Sequence, residues 1–321
     1  MAGVFRLAFR RIAEPGRSRK ARDWRWSLLG AEPPANLYCG SLPTSDGAGA
    51  PYRLWLAEEP RALVLLLHGA FDYSGAFDDI GPKLAARGFS ALAYDQRGFG
   101  GTSSRRHWCG IKRMALDVAD AIRFLRARFG ALPIFVAGES MGADVAIQTI
   151  ARSRHTEIAG LILVAPGAVA GPFRRYLWSL AVRLWTFLAP QGEIDVVRLS
   201  GREFTPTAAI RLLSDPMVLR SVRPAMASGL LELAVSSVLA ARNVCVPALT
   251  MVGSREDFLY TTCVASLHRN LAGEKTWRVF DGGPHLLFHW QRNEEVIAQA
   301  TDWMATRLPA PAGCRQPNPA L

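Results

Sequence analysis

Six apolar runs, separated by amphipathic stretches, constrain what this chain can fold into more than any other feature. They are ALVLLLHG (62–69), FSALAYDQRG (89–98), PIFVAGES (133–140), GLILVAPG (160–167), VPALTMVG (246–253) and KTWRVFDG (275–282). Each is apolar almost without interruption, the pattern of a strand covered on both faces, which is the pattern of parallel sheets. Residues 112–128 and 142–153 carry apolar side chains at helical spacing. Strand and helix therefore alternate, and the alternation predicts a doubly wound, mostly parallel α/β sheet. One interval breaks the rhythm. From 168 to 242 no strand-like run occurs, only helical pieces rich in bulky apolar residues and arginine. So long an interval is not a plain loop in a compact domain, and it reads as a helical insertion. The expected division is a basic N-terminal segment (1–45), a core (46–167 and 243–308), a helical cap (168–242) and a disordered Pro-rich tail (309–321).

Charge narrows the partners less than it first suggests. The chain carries 38 Lys+Arg against 27 Asp+Glu, a net charge of +11, and only Lys20, Lys83, Lys112 and Lys275 are lysines. Such a balance favours anionic partners, and equally fits a general preference for arginine. Phe5, Ala8, Phe9 and Ile12 recur at helical spacing among N-terminal arginines. They outline a short basic helix that lies on anionic lipid, packs on the domain or remains a solvated leader. The cations show no aromatic-interleaved motif for nucleic acid, so none is expected as a partner. The longest uncharged stretch ends at Phe173 and falls short of the roughly 20 residues of a spanning helix. The five cysteines form no CxxC pair, HExxH and Walker sequences are missing, and Gly98-Phe-Gly-Gly lacks the third glycine of a dinucleotide fingerprint. Neither a metal nor an organic cofactor is implied. A reducing compartment follows from the cysteine usage, so the expected location is cytoplasmic, peripheral at the inner membrane face.

The chemistry centres on GESMG (138–142), a G-x-S-x-G sequence preceded by an apolar strand and followed by a helical pattern. In that setting the glycines relieve crowding at a sharp turn and expose the hydroxyl of Ser140. The helix N-terminus behind it turns backbone N–H groups toward developing negative charge. A serine needs a base. In sheets bearing such an elbow the order along the chain is serine, acid, histidine, the last on the loop after the final strand. His285 fits, and His289 is its rival one helical turn later. The acid belongs just beyond VPALTMVG, where Glu256 and Asp257 are neighbours and only one can face the imidazole. His68 reads as a brace for its loop rather than a catalyst, and DQRGFG (95–100) as a tight architectural turn.

Together, HGA (68–70), DQRGFG, GESMG, the G-S-x-acid turn at 253–256 and GGPH (282–285) resemble the α/β-hydrolase superfamily. More closely they resemble its monoacylglycerol lipase and lysophospholipase branch, of the serine aminopeptidase S33 type, over residues 50–308. Leu213-Ser-Asp-Pro216 looks like a stretch common in the cap of that branch. The resemblance implies Ser140 as nucleophile, His285 as base, and the backbone N–H groups of Ala70 and Met141 as oxyanion hole. It favours Glu256 as the acid, since the branch places one three residues after the strand-ending glycine. Aspartate is commoner there, and a one-residue slip would restore Asp257.

In this branch the insertion covers the active site. Here it carries Trp178, Trp185 and Phe187 among many leucines and arginines, which suits an acyl-chain tunnel or a bilayer-facing surface. The expected substrate is a lipid ester with one long acyl chain, a lysophospholipid or monoacylglycerol, cleaved through an acyl-enzyme. Competing expectations are a general carboxylesterase, a thioesterase, an acyltransferase, or an inactive hydrolase scaffold that binds membrane or a partner. Oligomeric state is left open.

Overall fold

The computed structural model describes residues 33–153, 158–169, 203–256 and 261–309, with short pieces between 180 and 195. Its strands are β1 (Leu37–Leu42), β2 (Ala50–Trp55), β3 (Ala62–Leu67), β4 (Phe89–Tyr94), β5 (Ile134–Glu139), β6 (Ile158–Val164), β7 (Ile194–Asp195), β8 (Ser221–Val222), β9 (Ala248–Gly253) and β10 (Lys275–Phe280). Its longer helices are α1 (Ile80–Ala86), α2 (Ile111–Phe129), α3 (Met141–Ser153), α4 (Pro206–Ser214), α5 (Pro224–Ala240), α6 (Thr261–Asn270) and α7 (Asn293–Ala305).

Eight strands form one sheet in the order β1-β2-β4-β3-β5-β6-β9-β10. From β4 to β10 all neighbours are parallel, whereas β2 runs antiparallel to β4 and β1 antiparallel to β2. The central strands explain why their sequences do not alternate in polarity. In β3, Leu63, Leu65 and Leu67 face the cluster formed with α2, α3 and α5, while Val64 and Leu66 face the one formed with α1 and α7. Both faces of the sheet are covered, so both sets must be apolar.

Four features depart from the sequence expectation. The sheet begins before residue 46: β1 and β2 make an N-terminal hairpin that extends it. As the outer pair they are partly solvated, so neither presents a continuous apolar run. At the other edge, β10 forms as expected but is mostly exposed rather than buried on both faces. The insertion is also shorter than 168–242. β6 and β9 are parallel neighbours, which requires a crossover, and α5 supplies it by packing on α3 and α6. Within the insertion, β7 and β8 pair as a two-residue antiparallel ribbon where no strand was expected.

Pro224–Asn243, which contains α5, is long and apolar enough to cross a bilayer. Here Met226, Leu233 and Val238 join the core, and Gly229 lets the Trp108 ring approach so closely that a Cβ would lie 2.2 Å from its Cε2. The expected basic segment through residue 32 and the tail from 310 lie outside the described residues.

The hairpin is tied to the core where Trp55 of β2 lies across Gly81 of α1, and a Cβ on Gly81 would fall 2.1 Å from the indole. Gly81→Ala is expected to lower stability by about 1–3 kcal/mol, read as a lower urea midpoint at unchanged m-value. An unchanged midpoint would mean that the hairpin is an appendage.

Candidate active site

Ser140 stands between β5 and α3 with φ +53°, in the left-handed region that non-glycine residues rarely occupy. Its neighbours hold it there. The Ser140 N–H donates to the Val164 carbonyl of β6 at 2.8 Å, and its own carbonyl accepts the Ala143 N–H at 3.0 Å to begin the helix. Gly142 is required by close approach: a Cβ would lie 2.1 Å from the Leu67 carbonyl oxygen at the end of β3. The hydroxyl is thus carried at the carboxyl end of the sheet, above the first turn of α3.

The other two loops come from neighbouring strand ends. Gly253 closes β9, and a Cβ there would sit 2.0 Å from the Gly283 carbonyl, so only glycine lets the β9 and β10 loops meet. The Ser254 N–H donates to Phe280 O at 2.9 Å and the Arg255 N–H to Gly283 O at 3.0 Å. These bonds pin the backbone just before Glu256 and just before His285. His285 Nε2 lies 3.0 Å from Ser140 Oγ, and Nδ1 lies 2.7 Å from Glu256 Oε2. The glutamate side chain is 1% exposed and the imidazole 11%. Glu256 Oε2 accepts a hydrogen bond from Nδ1–H and fixes that tautomer, which leaves Nε2 to accept from the Ser140 hydroxyl. The structure therefore brings Ser140, His285 and Glu256 into one chain of hydrogen bonds, and Asp257 lies outside the described residues.

Met141 follows Ser140 directly and is buried. Ala70 follows Gly69, whose Cβ position would be 3.6 Å from Ser140 Cβ, so the chain just before Ala70 packs against the Ser140 side chain. Phe71, next in the chain, has φ +72° and is held by the Leu219 N–H of the insertion, which donates to its carbonyl at 2.7 Å. His68 is wholly buried, with Nδ1 bonded to Gly69 O at 2.8 Å and Nε2 accepting the Gln96 N–H at 2.9 Å. Burial pushes its pKa down, which suits a neutral brace. The Asp95 carboxylate accepts the Ser74 and Gly101 N–H groups, giving the DQRGFG turn an architectural task.

His289 does not reach Ser140. It is buried against Glu139 Oε2 at 3.2 Å and beside Arg211. Of the expected substrate-binding residues, Trp178 lies outside the described residues and Trp185 is half-buried. Phe187 is 82% exposed, in a row with exposed Leu180, Leu184 and Leu188. So exposed a ring does not wall a closed tunnel.

One group that sequence reasoning missed lies a helical turn beyond the hydroxyl. Asp144 is buried on α3, and burial pushes its carboxyl up to about 8 against weaker opposing bonds from the Gly167 N–H and the Ser237 hydroxyl. Only its place four residues after Ser140 could have signalled it. In the unfolded chain aspartate ionises near pH ~4. The fold thus binds an extra proton between these values, and the stability this confers is complete below pH ~4 and lost as pH rises through the folded value. Asp144→Asn, which cannot ionise, is expected to match wild type near pH ~4 and exceed it by roughly 4–6 kcal/mol at pH 9. Melting temperatures measured across that range check this, and parallel curves for the two proteins would refute it.

The sequence model of the family described as serine aminopeptidase, S33 matches residues 58–291. The chain is 26% identical over 297 residues to the monoglyceride lipase of Mus musculus, covering 88% of this chain and 96% of that protein. It is 26% identical over 251 residues to phospholipase YtpA of Bacillus subtilis (strain 168), covering 77% and 96%. Among solved structures, it overlays on a soluble variant of the monoglyceride lipase from Saccharomyces cerevisiae, in complex with a substrate analog, with a TM-score of 0.72 at 19% identity. That overlay covers 86% of this chain and 97% of the other.

Proposed function

Since the chain belongs to the serine aminopeptidase, S33 family and has the α/β-hydrolase fold, we propose that it is a serine-dependent carboxylic ester hydrolase acting on lipid esters. The observation that carries this reading is the relay of 3.0 Å from Ser140 Oγ to His285 Nε2 and 2.7 Å from Nδ1 to Glu256. Ser140 attacks the ester carbonyl as His285 accepts its proton, and the N–H groups of Ala70 and Met141 hold the tetrahedral oxyanion. His285 then protonates the departing alcohol. Water, activated by the same imidazole, releases the fatty acid from the acyl-enzyme.

The substrate class is a monoacylglycerol or lysophospholipid with one long acyl chain. The relatives named as a monoglyceride lipase and a phospholipase support it. The exposed row of Leu180, Leu184, Phe187 and Leu188 supports delivery from a lipid surface, and the net charge of +11 supports an anionic one.

A fluorophosphonate probe is expected to label the wild-type protein and not Ser140→Ala, whose ester hydrolysis should fall by about four orders of magnitude or more. Glu256→Gln should lower kcat by about 100-fold or more with KM little changed, because the imidazole loses the acceptor that fixes its tautomer. Asp257→Asn should stay within about threefold of wild type, the reverse pattern making Asp257 the acid. A panel of lysophospholipids and monoacylglycerols against acetate and butyrate esters tests the substrate class, and a strong preference for the short esters would overturn it.

A further inference from the structure

Behind the relay, four buried ionisable side chains join parts of the chain that the proposed reaction treats separately. Asp72 lies two residues past Ala70, Glu139 directly precedes Ser140, His289 follows His285 by one turn, and Arg211, 1% exposed, projects from α4 of the insertion. Arg211 Nη1 donates to Asp72 Oδ2, while Nη2 lies 3.3 and 3.4 Å from the two ring nitrogens of His289. Being equidistant, Nη2 sits across the imidazole and on neither lone-pair axis. His289 Nε2 is 3.2 Å from Glu139 Oε2 and 4.0 Å from Asp72 Oδ2. The carboxylates in turn hold backbone: Glu139 Oε1 accepts the Phe288 N–H at 2.9 Å, and Asp72 Oδ1 the Tyr73 N–H at 2.9 Å. Burial alone would raise the Asp72 pKa, but Arg211 and His289 hold it below the usual carboxylate range.

We propose that Arg211 is a positioning residue through which the seat of the insertion sets the oxyanion loop and the base loop together. The proposal rests on the serine-hydrolase reading above. Three observations converge on it. Phe71, between Ala70 and Asp72, is held at φ +72°, a conformation that persists only where its surroundings impose it. The insertion imposes it from both sides, with the Leu219 N–H on the Phe71 carbonyl and Arg211 on the next side chain. The same stretch grips the base loop, since the Thr205 N–H donates to His289 O at 2.9 Å and the Gln291 N–H to Glu203 O at 3.0 Å. Arginine suits the post because its planar fork reaches two partners at once, which an ammonium on a flexible stem does not. An insertion that lifts from the core withdraws Arg211 and Leu219 together, and the Ala70 amide loses its orientation. Productive chemistry is thereby confined to the seated state.

The test uses the full chain as wild type, Arg211→Lys, Arg211→Met and the pair Arg211→Met/Asp72→Asn. Melting temperature, kcat and KM on the short soluble ester p-nitrophenyl butyrate, and hydrogen exchange of the segment 69–76 are measured on each. Arg211→Met is expected to lose about 100-fold in kcat with KM within threefold, the size of effect seen when one oxyanion donor is misplaced. Arg211→Lys should recover part of that loss. In the double variant no carboxylate is left buried against a missing cation, so the melting temperature should recover while kcat does not. Exchange in 69–76 should quicken by about tenfold or more in both Met variants, as expected of an opened loop. The proposal is overturned if kcat recovers along with the melting temperature, or if the loop exchanges as in wild type. Should Ser140→Ala hydrolyse ester like wild type, the serine reading fails, and the exchange measurement, which needs no catalysis, still decides whether Arg211 positions the loop.

Discussion

A serine backbone at φ +53° is the constraint on which the arrangement depends. It persists because two parallel strands and a helix close around it: β6 accepts its N–H, β3 approaches Gly142 so closely that no side chain fits, and α3 departs at once to take up its carbonyl. The order of the sheet then supplies the partners. β9 lies beside β6 and β10 beside β9, so residues 140, 256 and 285 emerge from the carboxyl ends of strands only a few positions apart. That end of an open α/β sheet is where side chains can converge without displacing the core.

What could be read from the chain was local, and what could not was long-range. β3, β5 and α3 each carry their pattern in a few consecutive residues, as does the strand–turn–helix around Ser140. The choice of His285 over His289 follows from its place directly after the Gly-rich turn that closes β10, and in the fold the two point into different surroundings. β1 and β2 escaped because this outer hairpin shares its side chains with solvent, so the period that marks a buried strand is diluted. α5 was assigned to the cap because its apolar run resembles its neighbours, and only the pairing of β6 with β9 reveals it as a crossover. The Asp72–Arg211 pair spans 139 positions, and neither residue has a sequence context that marks it.

Arginine also has a structural use here that composition alone leaves ambiguous. Arg97 meets Asp117 through both Nε and Nη2, at 2.7 and 2.9 Å, and Arg113 Nη2 reaches Asp117 at 2.8 Å and Asp120 at 3.1 Å. Both aspartates are buried on α2, so their charge must be met by donors that fit more than one acceptor. Arg211 repeats the arrangement at a more critical place. Part of the preference for arginine over lysine is thus spent on holding buried carboxylates, which weakens the case that positive charge alone identifies a partner.

Glu256 shows how the backbone and the side chain share the task of placing an acid. A glutamate has one more rotatable bond than the aspartate commoner at this point of the family, and freezing it costs conformational entropy. Two features hold it in the frozen geometry. The loop bonds at Ser254 and Arg255 fix the backbone just before it, and its side chain is almost fully buried, so few rotamers survive. Burial has a second consequence: with water excluded, the interaction of the carboxylate with the imidazole strengthens as the dielectric falls. The longer side chain therefore demands a drier, more tightly held loop, and the approach of Gly253 to Gly283 provides it.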